Sequence, residues 1–301
     1  MGKALNSGVP ASVTDRNGDG KMRADPRFVK ALALDLDGTT LRPDNSLSER
    51  TIRTLGACMN RGIRLILCTG RAVEAAERYR SALNAPGPHV YCNGAVVAEM
   101  PGWKIHTLTL QDKGSAKFCV DLSRKTGLYF QVFFPGSPEN PRQRLLAERK
   151  GPEWELYLRH TGIKAEIGDI EAALADPAVP GCVKTMFIAD ADAQALVRPV
   201  IENRYGGNLY IAGTLGPFLE IMSPRASKGE GVKTVLGVLG LDSRELIAFG
   251  DEENDLPLFR AAGFSVAPAN ARDTVKTAAN LVIGSNTGDA VANFLEGFFK
   301  L

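Results

Sequence analysis

Apolar positions in this chain fall into short runs of four to eight, separated by longer stretches that repeat at helical spacing. "VKALALDLD" (29–37), "IRLILC" (63–68) and "HVYCN" (89–93) are near-continuous apolar runs of strand length, the pattern of strands covered on both faces. Between them lie two segments with helical spacing, one up to about Asn60 and one over 72–84. The first follows "SLSE", which predicts a capping box with Ser46 as cap and Glu49 reaching back. Strand, helix, strand, helix, strand predicts right-handed crossovers and a parallel, doubly wound α/β sheet.

The texture changes after "NGAVV" (93–97). "LYFQVFF" (128–134) and "VKTMFIAD" (183–190) read as strands. "SAKFCVDLSRKTG", "DIEAALAD" and "DAQALVRPVIENRYG" read as helices. Their order lacks simple alternation, so residues 98–217 are expected to form an inserted α+β cap. The alternation resumes with a helix over about 229–238, the buried strand "LIAFGD", a short helix "NDLPLFRAAG", strands "FSVAPA" and "LVIG", and a closing helix "DAVANFLEGFF". The predicted layout is an N-terminal extension (1–27), a Rossmann-like core (28–97 with 218–301) and the cap between its halves.

The composition fits that layout: 301 residues, 44% hydrophobic, 23% charged and a net charge of +2. This gives no electrostatic case for nucleic acid or an anionic membrane, and no apolar run has membrane-spanning length. Residues 1–27 hold no apolar signal-peptide core. The five cysteines, Cys58, Cys68, Cys92, Cys119 and Cys182, are scattered and form no Cys-x-x-Cys pair, which favours reduced thiols and a cytoplasmic location. "DRNGDG" (15–20) resembles the start of a calcium loop, but the twelfth position is Pro26 rather than an acid.

Ligands bind open α/β sheets outside the carboxyl ends of the strands. Asp35 and Asp37 end the first strand, Thr69 follows the second, Asp251 ends the fourth, and Lys228 lies just before the helix preceding it. On a regular strand Asp35 and Asp37 would point to opposite faces, so the chain must loosen after Leu36, which Gly38 permits. Three acids on one crevice call for a cation; a hard divalent ion such as Mg²⁺ fits oxygen ligands and a phosphate. Thr69, Lys228 and the amides around Gly38 and Gly70 are donors suited to phosphate oxygens. One carboxylate can attack phosphorus while the second, kept partly protonated by its neighbour, protonates the leaving oxygen. Each residue has a plainer reading. Thr69 suits a helix cap, Lys228 a solvated surface, Asp251 and Asp255 a helix dipole, Arg71 a surface ion pair and Asn93 a turn.

"DLDGT" (35–39), "CTGR" (68–71), "SKG" (227–229) and "GDEENDLPL" (250–258) resemble, in order, the four motifs of the haloacid dehalogenase superfamily. "YCNGAVV" and the C-terminal run from "AAGFSVAPANARDT" resemble its Cof-type, class IIB sugar-phosphatase-like group. The resemblance implies Asp35 as nucleophile, and Asp37 as general acid and then base, with its backbone carbonyl on Mg²⁺. Thr69 and Lys228 would hold the phosphoryl group, Asp251 would ligate the metal and Asp255 would support its shell. Leu36, Gly38, Gly70, Arg71, Asn93 and Asn254 would surround the phosphate. The expected activity is hydrolysis of a small phosphate ester; a phosphomutase or an idle binding protein on the same scaffold are the alternatives. "PGSPENPRQ", "ERKGPEW" and "AGTLGPF" are candidate specificity loops.

Overall fold

A computed structural model describes residues 14–16, 22–136, 142–214 and 216–301. Most of the N-terminal extension, residues 17–20 of "DRNGDG" and most of "PGSPENPRQ" lie outside the described residues. What is described at the start is a small antiparallel pair, β1 (Thr14–Arg16) and β2 (Met22–Ala24).

The core follows as β3 (Ala31–Leu34), α1 (Glu49–Asn60), β4 (Arg64–Leu67), α2 (Val73–Ala82) and β5 (Gly87–Tyr91). After β6 (Val96–Met100) and β7 (Lys104–Leu108) the chain enters a second sheet, returning through α7 (Lys228–Leu239), β14 (Leu246–Phe249), α8 (Leu256–Ala261), β15 (Phe264–Pro268), α9 (Asp273–Ala278), β16 (Leu281–Ile283) and α10 (Ala290–Phe299). The five parallel strands lie in the order β16-β15-β14-β3-β4. Alternation in β3 divides the layers. Leu32 and Leu34 pack with α1, α2 and α10, whereas Ala31 and Ala33 pack with α7, α8 and α9. Helices on both faces explain why these strands read as unbroken apolar runs.

Three local expectations are corrected. The first strand stops at Leu34 rather than Asp37: Asp35 donates its N–H to Phe249 O (3.1 Å), and residues 36–40 then coil, with Gly38 at φ +74°. Helix α1 is capped by Ser48, whose side chain accepts the Thr51 N–H at 3.0 Å, while Ser46 bonds Asp44 instead. The third strand, β5, forms no ladder with β4 and joins its end by an isolated parallel bridge between Cys68 and Val90; its long partner is β6, in an antiparallel meander β5-β6-β7.

The second sheet has six strands in the order β10-β9-β8-β11-β13-β12, formed by β8 (Tyr129–Phe134), β9 (Arg144–Ala147), β10 (Glu166–Ile167), β11 (Lys184–Ile188), β12 (Tyr210–Thr214) and β13 (Phe218–Met222). One face carries α3 (Lys113–Thr126), α5 (Ile170–Ala175) and α6 (Ala191–Tyr205). The other face, together with α4 (Pro152–Thr161), packs into the same apolar cluster as the core. Residues 218–222, expected with the core, pair with β11 and β12 in this sheet because "YIAGT" and "FLEIM" close a hairpin. Residues 98–108, expected in the cap, stay with β5. "ERKGPEW" is partly helical, its Pro152 opening α4.

Candidate active site

Each acid reaches the crevice because its strand has just ended. Asp35 follows β3, and Asp251 follows β14 by one glycine. Gly38 lets the chain turn under Asp251: a Cβ there would lie 2.1 Å from Asp251 Oδ2, in a backbone region that side chains avoid. Thr39 then donates to Asp251 Oδ1 at 2.6 Å. Lys228 is the first residue of α7, whose cap Ser227 accepts the Glu230 N–H. A Cβ on Gly94 would lie 2.0 Å from Ser227 O, so glycine at this φ of +92° lets α7 seat against the Asn93 turn. Lys228 is thereby carried into the interior, 1% exposed, rather than into solvent.

Its ammonium donates to Asp35 Oδ1 (2.7 Å) and Asp255 Oδ1 (2.6 Å). Asp255 also accepts the N–H groups of Asp251 (3.0 Å) and Glu252 (3.1 Å) on Oδ2, so both its oxygens are committed to shaping this turn. Carboxylate oxygens of Asp35, Asp251 and Asp255 lie within 4.8 Å of one another, all buried. Burial pushes Asp35 well above the usual carboxylate range; Lys228 opposes this, and Asp255 and Asp251 add to it. Burial, then Asp255, pushes Asp251 up to about 7. Burial works against the Lys228 ammonium, but Asp255 and Asp35 outweigh it and raise its pKa. Three acids against one lysine leave an excess of negative charge on hard oxygen donors, a set that fits a divalent cation such as Mg²⁺. Asp35, Asp251 and Asp255 are the carboxylates within reach of such an ion, Asp255 already accepting from Lys228 and from two backbone N–H groups.

Asp37 lies apart from that cluster, and its neighbour is a cation rather than an acid. Arg71 grips it through Nε to Oδ2 (2.7 Å) and Nη2 to Oδ1 (2.5 Å), with the pair almost buried. Arg71 also donates to Asn45 Oδ1 (3.2 Å) and His160 O (3.3 Å). It therefore orients Asp37, where the sequence left substrate contact and surface ion pair open. Thr69 is fully buried but does not cap α2, which starts four residues later; its Oγ1 accepts the Arg71 N–H (3.1 Å), leaving the hydroxyl proton to donate.

Asn93 forms both a turn and a link. Its Oδ1 accepts from Asn254 Nδ2 (2.9 Å), and its Nδ2 donates to Glu220 Oε2 (2.5 Å). Asn254 Oδ1 is buried without a partner and its residue lines the cavity. Glu220 pairs with Lys184, which also donates to Gly70 O (2.8 Å). Lys184 and Glu220 lie on β11 and β13, are 1% and 2% exposed, and join the second sheet to the core. With Tyr157, His160, Met186 and Phe218 they roof the cavity floored by Asp35, Asp37, Gly70 and Arg71. Of these roof residues only Phe218 falls in a segment expected to set specificity, "AGTLGPF"; Tyr157, His160, Lys184, Met186 and Glu220 were not expected at the site. A lone charge inside the apolar runs "VKTMFIAD" and "FLEIM" was the available signal, since buried charges are rare without a partner.

The ordered motifs were compared with known families and proteins. A family model described as haloacid dehalogenase-like hydrolase matches residues 32–295. The chain belongs to the haloacid dehalogenase-like hydrolases. Within that family it is 30% identical over 269 residues to a putative phosphatase, YxeH, of Bacillus subtilis strain 168, covering 88% of this chain and 96% of that one. It is 27% identical over 283 residues to the 5-amino-6-(5-phospho-D-ribitylamino)uracil phosphatase YitU of the same organism, covering 90% and 97%. A crystal structure of a haloacid dehalogenase-like hydrolase from Bacteroides thetaiotaomicron superposes with a TM-score of 0.79 at 23% identity, covering 90% of this chain and all of that one. Among the described residues, no helix is long and apolar enough to cross a membrane.

Proposed function

We propose that the protein is a Mg²⁺-dependent phosphomonoesterase acting on a small phosphorylated metabolite through an aspartyl-phosphate on Asp35. The observation that carries this reading is the buried Lys228 ammonium bridging Asp35 and Asp255 beside Asp251, at the carboxyl ends of two adjacent parallel strands. The phosphatase names of the similar proteins support it. Mg²⁺, when bound, would offset phosphate charge and bring the phosphoryl group close to an anionic nucleophile.

An Asp35 oxygen attacks phosphorus, the ester P–O bond breaks, and Asp37, entering the step protonated on a lone pair outside the Arg71 fork, gives that proton to the departing oxygen. Asp37 then takes a proton from water as that water attacks the aspartyl-phosphate, which releases inorganic phosphate and restores Asp35. Lys228 and Thr69 hold phosphoryl oxygens, aided by the amides at Leu36, Gly38 and Gly70 and by Asn254. Both Asp37 oxygens accept from Arg71, yet each carboxylate oxygen has two lone pairs, so the grip leaves sites for proton transfer.

Phosphate release from an aryl phosphate with Mg²⁺ present tests the reading. Wild type should turn over and Asp35→Asn should not. Equal release by the two proteins would place the chemistry elsewhere. A requirement for a sugar bisphosphate activator would indicate a mutase instead.

A further inference from the structure

The crevice is divided in two, and the division falls at Asp37. The inner part of the cleft, at Asp35, offers about 50 Å³. That is room for roughly four waters at ~10–15 Å³ each, enough for a phosphoryl group and the attacking water but not for a ring. An outer vestibule of about 460 Å³ adjoins it. Asp37, His160 and Phe218 line both spaces. The residue assigned to protonate the leaving oxygen thus stands on the boundary, and a leaving group that extends into the larger space passes His160 and Phe218.

The vestibule has a particular chemistry. Pro43, Leu156, Pro217 and Phe218 supply apolar surface. Part of its polar inventory is spent on the protein itself, although Asn45 Nδ2 and Arg42 Nη1 keep donors to offer. Arg42 forks onto Asp289 (2.9 and 2.8 Å), Asn45 Oδ1 accepts from Arg71, and Asn286 Nδ2 donates to Leu41 O (2.8 Å). A polyhydroxylated leaving group would exchange several water hydrogen bonds for the few donors left here. A flat ring would instead meet the His160–Phe218 pair, whose ring centroids are 5.5 Å apart at 46°. Phe218 is fixed by an edge contact with buried Tyr157 (5.8 Å, 84°), so this wall does not need to be ordered by the ligand.

Resting on the phosphatase reading above, we infer that His160 and Phe218 are specificity-determining residues that select phosphate esters of flat, weakly polar ring alcohols over sugar phosphates. The preference is built at the exit from the inner part of the cleft, where the ring lies beside Asp37.

Benzyl phosphate, glucose 6-phosphate and acetyl phosphate separate the possibilities, each scored by kcat/KM with Mg²⁺. Wild type should prefer benzyl phosphate to glucose 6-phosphate by about tenfold or more. Phe218→Ala and His160→Ala should each lower the ratio of benzyl to acetyl phosphate turnover by about tenfold, the scale of one lost ring contact. Phe218→Leu keeps bulk without the ring and serves if the alanine variant does not fold. Glucose 6-phosphate turned over as well as benzyl phosphate, or a ratio unchanged within about twofold in the variants, overturns the inference while leaving the phosphatase reading intact. No release from acetyl phosphate or either ester by folded wild type overturns both.

Discussion

Arg71 holds Asp37 by both carboxylate oxygens, and that fork is tied in turn to the far side of the crevice by its bond to His160 O. Lysine at position 71 would keep the charge but lose the planar two-point grip. Arg71→Lys should therefore lower kcat on an aryl phosphate by about a hundredfold, the effect of misplacing a catalytic group by roughly 1 Å. The KM should move much less. A kcat equal to wild type would show that Asp37 needs no such orientation.

Gly38 should tolerate no side chain. A Cβ there lies 2.1 Å from Asp251 Oδ2 and 2.7 Å from its Cγ, and the φ of +74° costs about 1–2 kcal/mol for any L residue. Asp251 must shift to make room. Activity of Gly38→Ala titrated against Mg²⁺ should show a half-activating concentration raised by about tenfold or more, the scale of a disturbed metal ligand. An unchanged Mg²⁺ curve would rule out Asp251 as a ligand.

The Lys184–Glu220 pair should behave as a unit. Lys184→Met or Glu220→Leu alone strands a buried charge, at a cost of about 3–5 kcal/mol. The double variant strands none, although Gly70 O and Asn93 Nδ2 each lose a partner, at about 1–3 kcal/mol apiece. Urea unfolding should find the double variant no less stable than the worse single one. Simple additivity of the two losses would argue against a coupled pair.

His89 gives a pH dependence with a definite sign. It is fully buried; its Nδ1 accepts the Leu67 N–H (3.2 Å) and its Nε2 faces Ala85 O (3.1 Å), a neutral ring with the proton on Nε2. Burial pushes its pKa down to about 4. The unfolded chain takes up this proton near pH 6.5, so the folded state loses stability as pH falls from about 6.5 to about 4, by on the order of 3 kcal/mol. Unfolding free energy measured across that window should fall less steeply in His89→Gln than in wild type. Identical slopes would refute the assignment.

The core was legible because its chemistry is local. Asp35, Asp251 and Lys228 each sit at the end of a strand or the start of a helix, and apolar runs mark those ends without knowledge of the fold. Of the roof, only Phe218 was legible, as the end of "AGTLGPF". Whether Glu220 faces solvent or Asn93 depends on which strands β13 joins, and the hairpin with β12 could not be read from spacing alone. The partner of Asp37 was hidden for the same reason. Arg71 is separated from it by 34 residues and one crossover, and nothing in "CTGR" says which way the guanidinium turns.

Two bonds between the sheets bear on how such proteins can be recombined. Lys184 donates to the backbone carbonyl of Gly70, and Glu220 accepts from Asn93, so the second sheet supplies partners that the core's own loops require. A chimera carrying another protein's cap would inherit a core with an unmatched carbonyl at Gly70 and an unmatched amide at Asn93. Transplants that keep lysine and glutamate at these two register positions should fold as hybrids; those that do not must rebuild the "CTGR" and "CNG" turns as well.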